Sequence, residues 1–266
     1  MFQIKTPEQI TQVIYDKAIK FFCKSFKEIV IGGILAGCFV SLAVLTSVTV
    51  CSDMKVYFGE GFTKLIFGIV FTLGLIMIVL SGSELFTGSN LYIVAILREK
   101  KYIRKLIKNW TLIYAANFIG SLIMVVMVYF SGVFENKLIS DYLINLVQAK
   151  VGLSFGQAFI RGVLCNFLVC LAVRVGEASE EISGKIMGFI YVIGAFVINS
   201  FEHSVANMFF IPMGMLVAGK VGIHISTYDF IFKNLIPVTL GNIVGGAVFV
   251  GVMYYVLHYS QLDFHK

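Results

Sequence analysis

The sequence predicts an all-α integral membrane protein of six transmembrane helices, two of them broken, arranged as an inverted repeat of three plus three spans. Three observations predict it. Apolar runs are long enough to cross a bilayer, two of those runs are too long for a single helix, and the second half of the chain repeats the first. The whole chain reads as one membrane domain, 1–266, with repeats at approximately 25–130 and 154–257 and an N-terminal segment, 1–24, outside the bilayer.

Hydrophobic residues make up 58% of the 266 and charged ones only 14%, a balance that places the chain in lipid rather than water. The apolar runs are 29–52, 65–97 with Glu84 inside it, 109–134, 151–173 with Arg161, 186–219 with Glu202 and His203, and 234–257. The first, third and last are charge-free for 24, 26 and 24 residues, enough for a helix across a hydrocarbon core of about 30 Å. The second and fifth are different. At 33 and 34 residues each would make a helix of roughly 50 Å, too long to cross once and too short to cross twice. Both must break, at SGSELFTGSN (81–90) and at NSFEHSVAN (199–207), where small polar residues surround an acid. Irregular backbone at that depth has to line a cavity.

The repeat is explicit in the residues. IGGILAGCFVSLAV (31–44) aligns without gaps on IRGVLCNFLVCLAV (160–173) with seven of fourteen identities, and Ser-Phe precedes both at the same distance. NWTLIYAANFIGSLIMVVMVY (109–129) likewise shadows NLIPVTLGNIVGGAVFVGVMY (234–254), keeping the first Asn, the central Asn-x-x-Gly at Asn117 and Asn242, and the last Tyr. Three crossings per half is an odd number, so the second half enters from the opposite side. Inverted repeats of this kind belong to channels and transporters.

The remaining composition narrows the function. The first 28 residues are mixed polar and charged, which does not read as a cleavable signal peptide. Five cysteines (Cys23, Cys38, Cys51, Cys165, Cys170) are odd in number and lack CxxC spacing, so neither a disulfide framework nor a metal site is expected. The net charge of +6 comes from basic residues flanking the spans, which speaks for membrane orientation and not for nucleic acid. With both termini inside, the cytoplasmic segments hold fourteen of the twenty-one Lys and Arg, including the cluster Arg98, Lys100, Lys101, Arg104, Lys105 and Lys108 and the terminal Lys266. No HExxH motif is present, only one histidine lies at membrane depth, and His224, His258 and His265 fall at expected loop or tail positions, which argues against a hydrolase or a haem or metal carrier and implies no cofactor. An aquaporin-type pore for neutral solutes shares the broken helices, but the breaks lack its Asn-Pro-Ala pairs.

SGSELFTGSN, AFIRGVLCNFLVCLAV, FEHSVANMFFIPMG and NLIPVTLGNIVGG resemble the four signature segments of the formate/nitrite transporter family, in order and over nearly the whole chain. The wording is closest to the hydrosulfide-channel branch. The resemblance implies an aquaporin-like fold, a homopentamer with a pore in each subunit, and small monovalent anions (hydrosulfide first, formate or nitrite as alternatives) as substrates. It carries the pore histidine to His203, a loop threonine to Thr87, and polar pore residues to Asn166, Lys150 and Asn242. Apolar residues that narrow the pore fall on Phe71, Leu75, Leu85, Phe86, Val169 and Phe196.

Physical chemistry weighs these assignments separately. An imidazole at mid-membrane is costly unless it faces a pathway, so His203 reads as functional. Glu84 and Glu202 read as staples whose carboxylates fold back on backbone N–H groups freed by the breaks. Thr87 and Asn166 suit pore contact or helix–helix bonding, Lys150 an anion funnel or a snorkelling anchor, and Arg161 a carbonyl cap or a partner for an acid near the interface. For His203 two roles remain: protonating a weak-acid anion in transit, or donating a hydrogen bond to an anion that stays charged.

Overall fold

In the computed structural model, which describes residues 4–258, every regular element among them is helical. An amphipathic α1 (Pro7–Phe22) starts on Thr6, which exchanges capping bonds with Gln9, and buries Ile10, Ile14, Ala18 and Phe21. Repeat one then runs α2 (Phe26–Cys51), α3 (Met54–Phe71) and α4 (Leu73–Ser81), a break at 82–85, the short α5 (Phe86–Ser89) and α6 (Ile93–Arg98), and α7 (Ile103–Phe130). The amphipathic α8 (Lys137–Val151) leads to repeat two: α9 (Phe155–Ala178), α10 (Ile182–Ile198), a break at 199–203 and α11 (Ser204–Lys220). In the last span, wide π-helical turns at Asp229–Leu235 and Val244–Val252 alternate with α12 (Ile236–Ile243) and α13 (Met253–His258).

Five stretches are long and apolar enough to cross a membrane: Phe26–Cys51, Met54–Ser81, Lys100–Phe130, Phe155–Ala178 and Asp229–His258. α10 and α11, apolar but 17 residues each, flank the second break.

The repeat explains the local structure. The duplicated Ser-Phe marks a duplicated cap: Ser25 with Glu28 opens α2, and Ser154 with Gln157 opens α9. Within each repeat the first and last spans pack at backbone contact. A Cβ at Gly120 would overlap the Ile34 carbonyl, and one at the equivalent Gly245 would overlap the Val163 carbonyl, so only glycine lets these helices approach. The repeats meet where equivalent residues face each other, with Tyr114 and Thr239 hydroxyls 2.8 Å apart. Each break opens on a left-handed residue at an equivalent position, Gly82 (φ 69°) and Ser200 (φ 55°). The chain thereby leaves the helix axis and returns to it.

His265 and Lys266 lie outside the described residues. His258, expected in a loop or tail, instead ends α13 buried, its Nδ1 2.9 Å from the Thr11 hydroxyl. Arg174 donates to that same hydroxyl (3.1 Å) and to the Pro7 carbonyl (3.3 Å), which fastens α1 beneath the bundle. At the start of α1, its own backbone N–H and the Thr6 hydroxyl hold the Glu8 carboxyl below the usual range.

Candidate functional site

A helix break in lipid leaves backbone groups that water cannot satisfy, and here carboxamides satisfy them. Asn117 donates to the carbonyls of Gly33 (2.7 Å) and Glu84 (2.9 Å) and accepts from the Phe86 N–H (3.0 Å). Asn242 repeats the arrangement: it donates to Gly162 (2.8 Å) and Glu202 (3.0 Å) carbonyls and accepts from the Ser204 N–H (2.9 Å). The N–H groups of Glu84 and Glu202 donate to the carbonyls of Gly32 (3.1 Å) and Arg161 (3.2 Å), again equivalent residues. The expectation that the two carboxylates cap backbone N–H groups is therefore corrected. An amide both donates and accepts and so fits a site that offers both carbonyls and an N–H, whereas an ionised carboxylate only accepts.

The acids bind side chains instead. Glu84 pairs with Lys24 of the α1–α2 junction. Glu202, 3% exposed, accepts from Lys150 (3.0 Å), Asn207 (2.7 Å) and Asn234 (3.3 Å), and Asn234 also donates to the Lys150 carbonyl (3.2 Å). Lys150 also lies 4.9 Å from the Phe210 ring centroid. Its charge is largely compensated, so it is not the free cation that a funnel needs. Arg161 caps the Ser200 carbonyl at 3.4 Å.

His203 caps α11, its Nδ1 accepting from the Ala206 N–H at 3.1 Å. That acceptor role puts the neutral ring's proton on Nε2, which donates to the Thr87 hydroxyl 2.9 Å away. The hydroxyl hydrogen is left for a third group. Two helix N-termini, of α5 and α11, thus meet through Thr87 and His203.

His203 borders a narrow cavity of about 20 Å³, room for roughly one water-sized group. Leu75, Leu85 and Ile78 close it toward α1, while Phe71 and Phe196, in edge contact with centroids 5.7 Å apart, and Val169 complete it. Phe196 also stacks on the His203 ring at 6.1 Å. Leu85 occupies the position in break one that His203 occupies in break two. Phe86, grouped with these by sequence, is not brought to the cavity and packs against Tyr114 (4.9 Å) and Trp110 (6.3 Å) of α7. Asn166 is also set back from it, fully buried, its amide donating to Asn242 O (2.7 Å), Asn90 Oδ1 (2.9 Å) and Thr87 O (3.2 Å). Asn242, with every polar atom occupied by backbone, holds the break. Beyond Leu75 and Leu85 a second cavity of about 300 Å³ opens on the α1 side.

Sequence reasoning missed Asn117, Asn207, Asn234 and Lys24. The first had a signal, since it is the repeat-one equivalent of Asn242. Lys24 had none, because its counterpart Lys150 sits at a different register in the repeat.

The formate/nitrite transporter profile matches residues 8–256. The chain is 39% identical over 236 residues to the formate channel FocA of Haemophilus influenzae, covering 83% of each, and 34% identical over 249 residues to FocA of Escherichia coli, covering 87% of each. A solved structure described as a pentameric formate channel with formate bound superposes with a TM-score of 0.75 at 32% identity, covering 92% of this chain and 98% of that one.

Proposed function

The chain belongs to the formate/nitrite transporter family, a family of membrane channels and not of enzymes, and on that premise we propose that it conducts small monovalent weak-acid anions through the Leu75/Leu85–His203–Phe71/Phe196 passage. The observation that carries this reading is the His203 ring, the one polar side chain in the wall of an otherwise apolar constriction, held in place by the Thr87 hydroxyl behind it. An ion in the constriction loses hydration, which is expensive for a bare charge. A small anion meets a single polar side chain there, His203, between Leu75 and Leu85 at one end and Phe71 and Phe196 at the other, so it crosses readily only as, or almost as, its neutral acid.

Of the two roles open to His203, the Ala206 bond speaks against proton transfer by the imidazole, so the proton that neutralises the anion is taken up from solution. Protonation at Nδ1 would set two donors against each other and uncap α11, leaving a buried N–H at a cost of about 1–3 kcal/mol. Formate is the first anion to test, because the relatives above are named for it. Hydrosulfide stands second, favoured by the small volume beside His203. We further read the chain as one domain, 1–266, with α10 and α11 in tandem as the sixth crossing, a homopentamer, both termini cytoplasmic, and Thr87, Asn166 and Asn242 as the polar frame of the passage.

Flux of formate, nitrite, hydrosulfide, acetate and chloride into proteoliposomes at two pH values tests the reading. Faster flux of the weak-acid anions at the lower pH, with chloride slow, supports it. Water or glycerol permeation without anion movement would overturn it.

A further inference from the structure

The α1-side cavity is far larger than its proposed permeant ion requires. At about 300 Å³ it reaches the lower end of the range for sites that hold organic ligands. Lys17 and Lys20 enter its wall from one face of α1, three residues apart, and Lys24 enters it from the α1–α2 junction. Lys17 pairs with Glu177 at 2.5 Å and Lys24 with Glu84, both acids being part of the same wall. Lys20 has no ion-pair partner among the described residues, so three ammonium groups and two carboxylates leave the cavity one positive charge. The rest of the wall is largely aliphatic, with Val79, Leu91 and Val173 among its residues. At its inner end the cavity narrows at Leu75, Ile78 and Leu85 to the 20 Å³ space beside His203.

Net charge, volume and apolar lining together select a ligand class. We propose that this cavity binds an organic monocarboxylate with a compact apolar body, its carboxylate on Lys20, and that the bound acid plugs the mouth of the passage. A carbon skeleton that fits the wide cavity cannot enter the narrow one, so the bound acid blocks permeation instead of passing. A dianion would overcompensate the single free charge, and an inorganic anion would leave the aliphatic wall wet. This rests on the pore reading above, and the test separates the two.

Benzoate is the probe. Its binding to the purified full-length protein in detergent is read by ligand-observed NMR, and its inhibition of formate flux in proteoliposomes is normalised to each variant's own uninhibited flux. Saturable binding is expected, weakened about tenfold by Lys20→Gln, the loss of one charge-assisted contact, and reduced further by Val79→Phe, which fills the cavity. Half-inhibitory concentrations should shift in step. Lys20 is exposed, so its variant folds; size exclusion checks Val79→Phe. Equal benzoate affinity in wild type and both variants overturns the site, and saturable binding without inhibition overturns the plug. Absence of flux of formate and of every other weak-acid anion without benzoate would sink the pore reading instead, while the NMR arm still decides the site.

Discussion

At the first break Asn117 bridges two carbonyls and one N–H; at the second Asn242 bridges their equivalents, at distances that agree within 0.1 Å. Around these shared joints the two breaks diverge. Break one carries Leu85 and is followed by thirteen residues of broken helix, Phe86–Arg98; break two carries His203 and is followed by the unbroken seventeen of α11. Break one's acid meets a lysine at the edge of the wide cavity, and break two's acid meets one inside a buried amide cluster. Duplication supplied the scaffold twice. The chemistry lies in the positions where the copies differ.

The largest expected effect tests the shared part. Asn117→Ala and Asn242→Ala each strand the carbonyl and the N–H that the break frees, Glu84 and Phe86 in one and Glu202 and Ser204 in the other, at about 1–3 kcal/mol per group. Both variants should lose most of their folded, monodisperse protein by size exclusion in detergent, and to a similar extent. If one tolerates the change, the joints are not equivalent.

A difference should appear at the lysines. Lys150→Met leaves Glu202 buried and without its cation, which for a buried pair costs about 3–5 kcal/mol. Lys24→Met removes a partner whose side chain is one-third exposed, and Glu84 faces a wet cavity, so about 1 kcal/mol or less is expected. Thermal midpoints in one detergent decide it. A Lys24→Met loss as large as that of Lys150→Met would mean that the α1 side is as dry as the other.

How legible this was in the sequence follows from what each feature depends on. Spans, breaks and repeats were readable because length and periodicity in lipid admit few alternatives, and His203, Phe71, Leu75, Leu85, Val169 and Phe196 do converge on one cavity. The breaks' hydrogen bonding was misread because a carboxylate next to a break looks like a cap, whereas the capping amide comes from a helix more than thirty residues away (Asn117 to Glu84, Asn242 to Glu202). Phe86 shows the same limit. Adjacent to Leu85, it turns to α7, since neighbours at a helix start point to different sides.

The residue with no counterpart in break one offers the next test. Asn in place of His203 can still accept from Ala206 and donate to Thr87, so His203→Asn should keep a folded protein and a flux-against-pH curve parallel to wild type. His203→Leu, which copies Leu85, should lower formate flux about tenfold, the loss of one hydrogen bond of ~1.4 kcal/mol in the barrier. A His203→Asn curve that flattens while wild type titrates would restore proton transfer by the imidazole.

The smallest effect concerns the hinge itself. Gly82 and Ser200 share a left-handed backbone, but only glycine adopts it without strain; a side chain there costs about 1–2 kcal/mol. Ser200→Gly should relieve that strain, and part of the gain is offset by the greater freedom that glycine gives the unfolded chain, so a net stabilisation of about 0.5–1 kcal/mol is expected. Gly82→Ala should move the other way by a similar amount, because no atom lies within 4 Å of a Cβ built there and the penalty is purely conformational. Opposite shifts in thermal midpoint, measured side by side, would establish that both hinges require the same backbone and that repeat two tolerates a strained residue in it. Destabilisation by Ser200→Gly would show instead that the serine side chain contributes more to the second break than its backbone conformation costs.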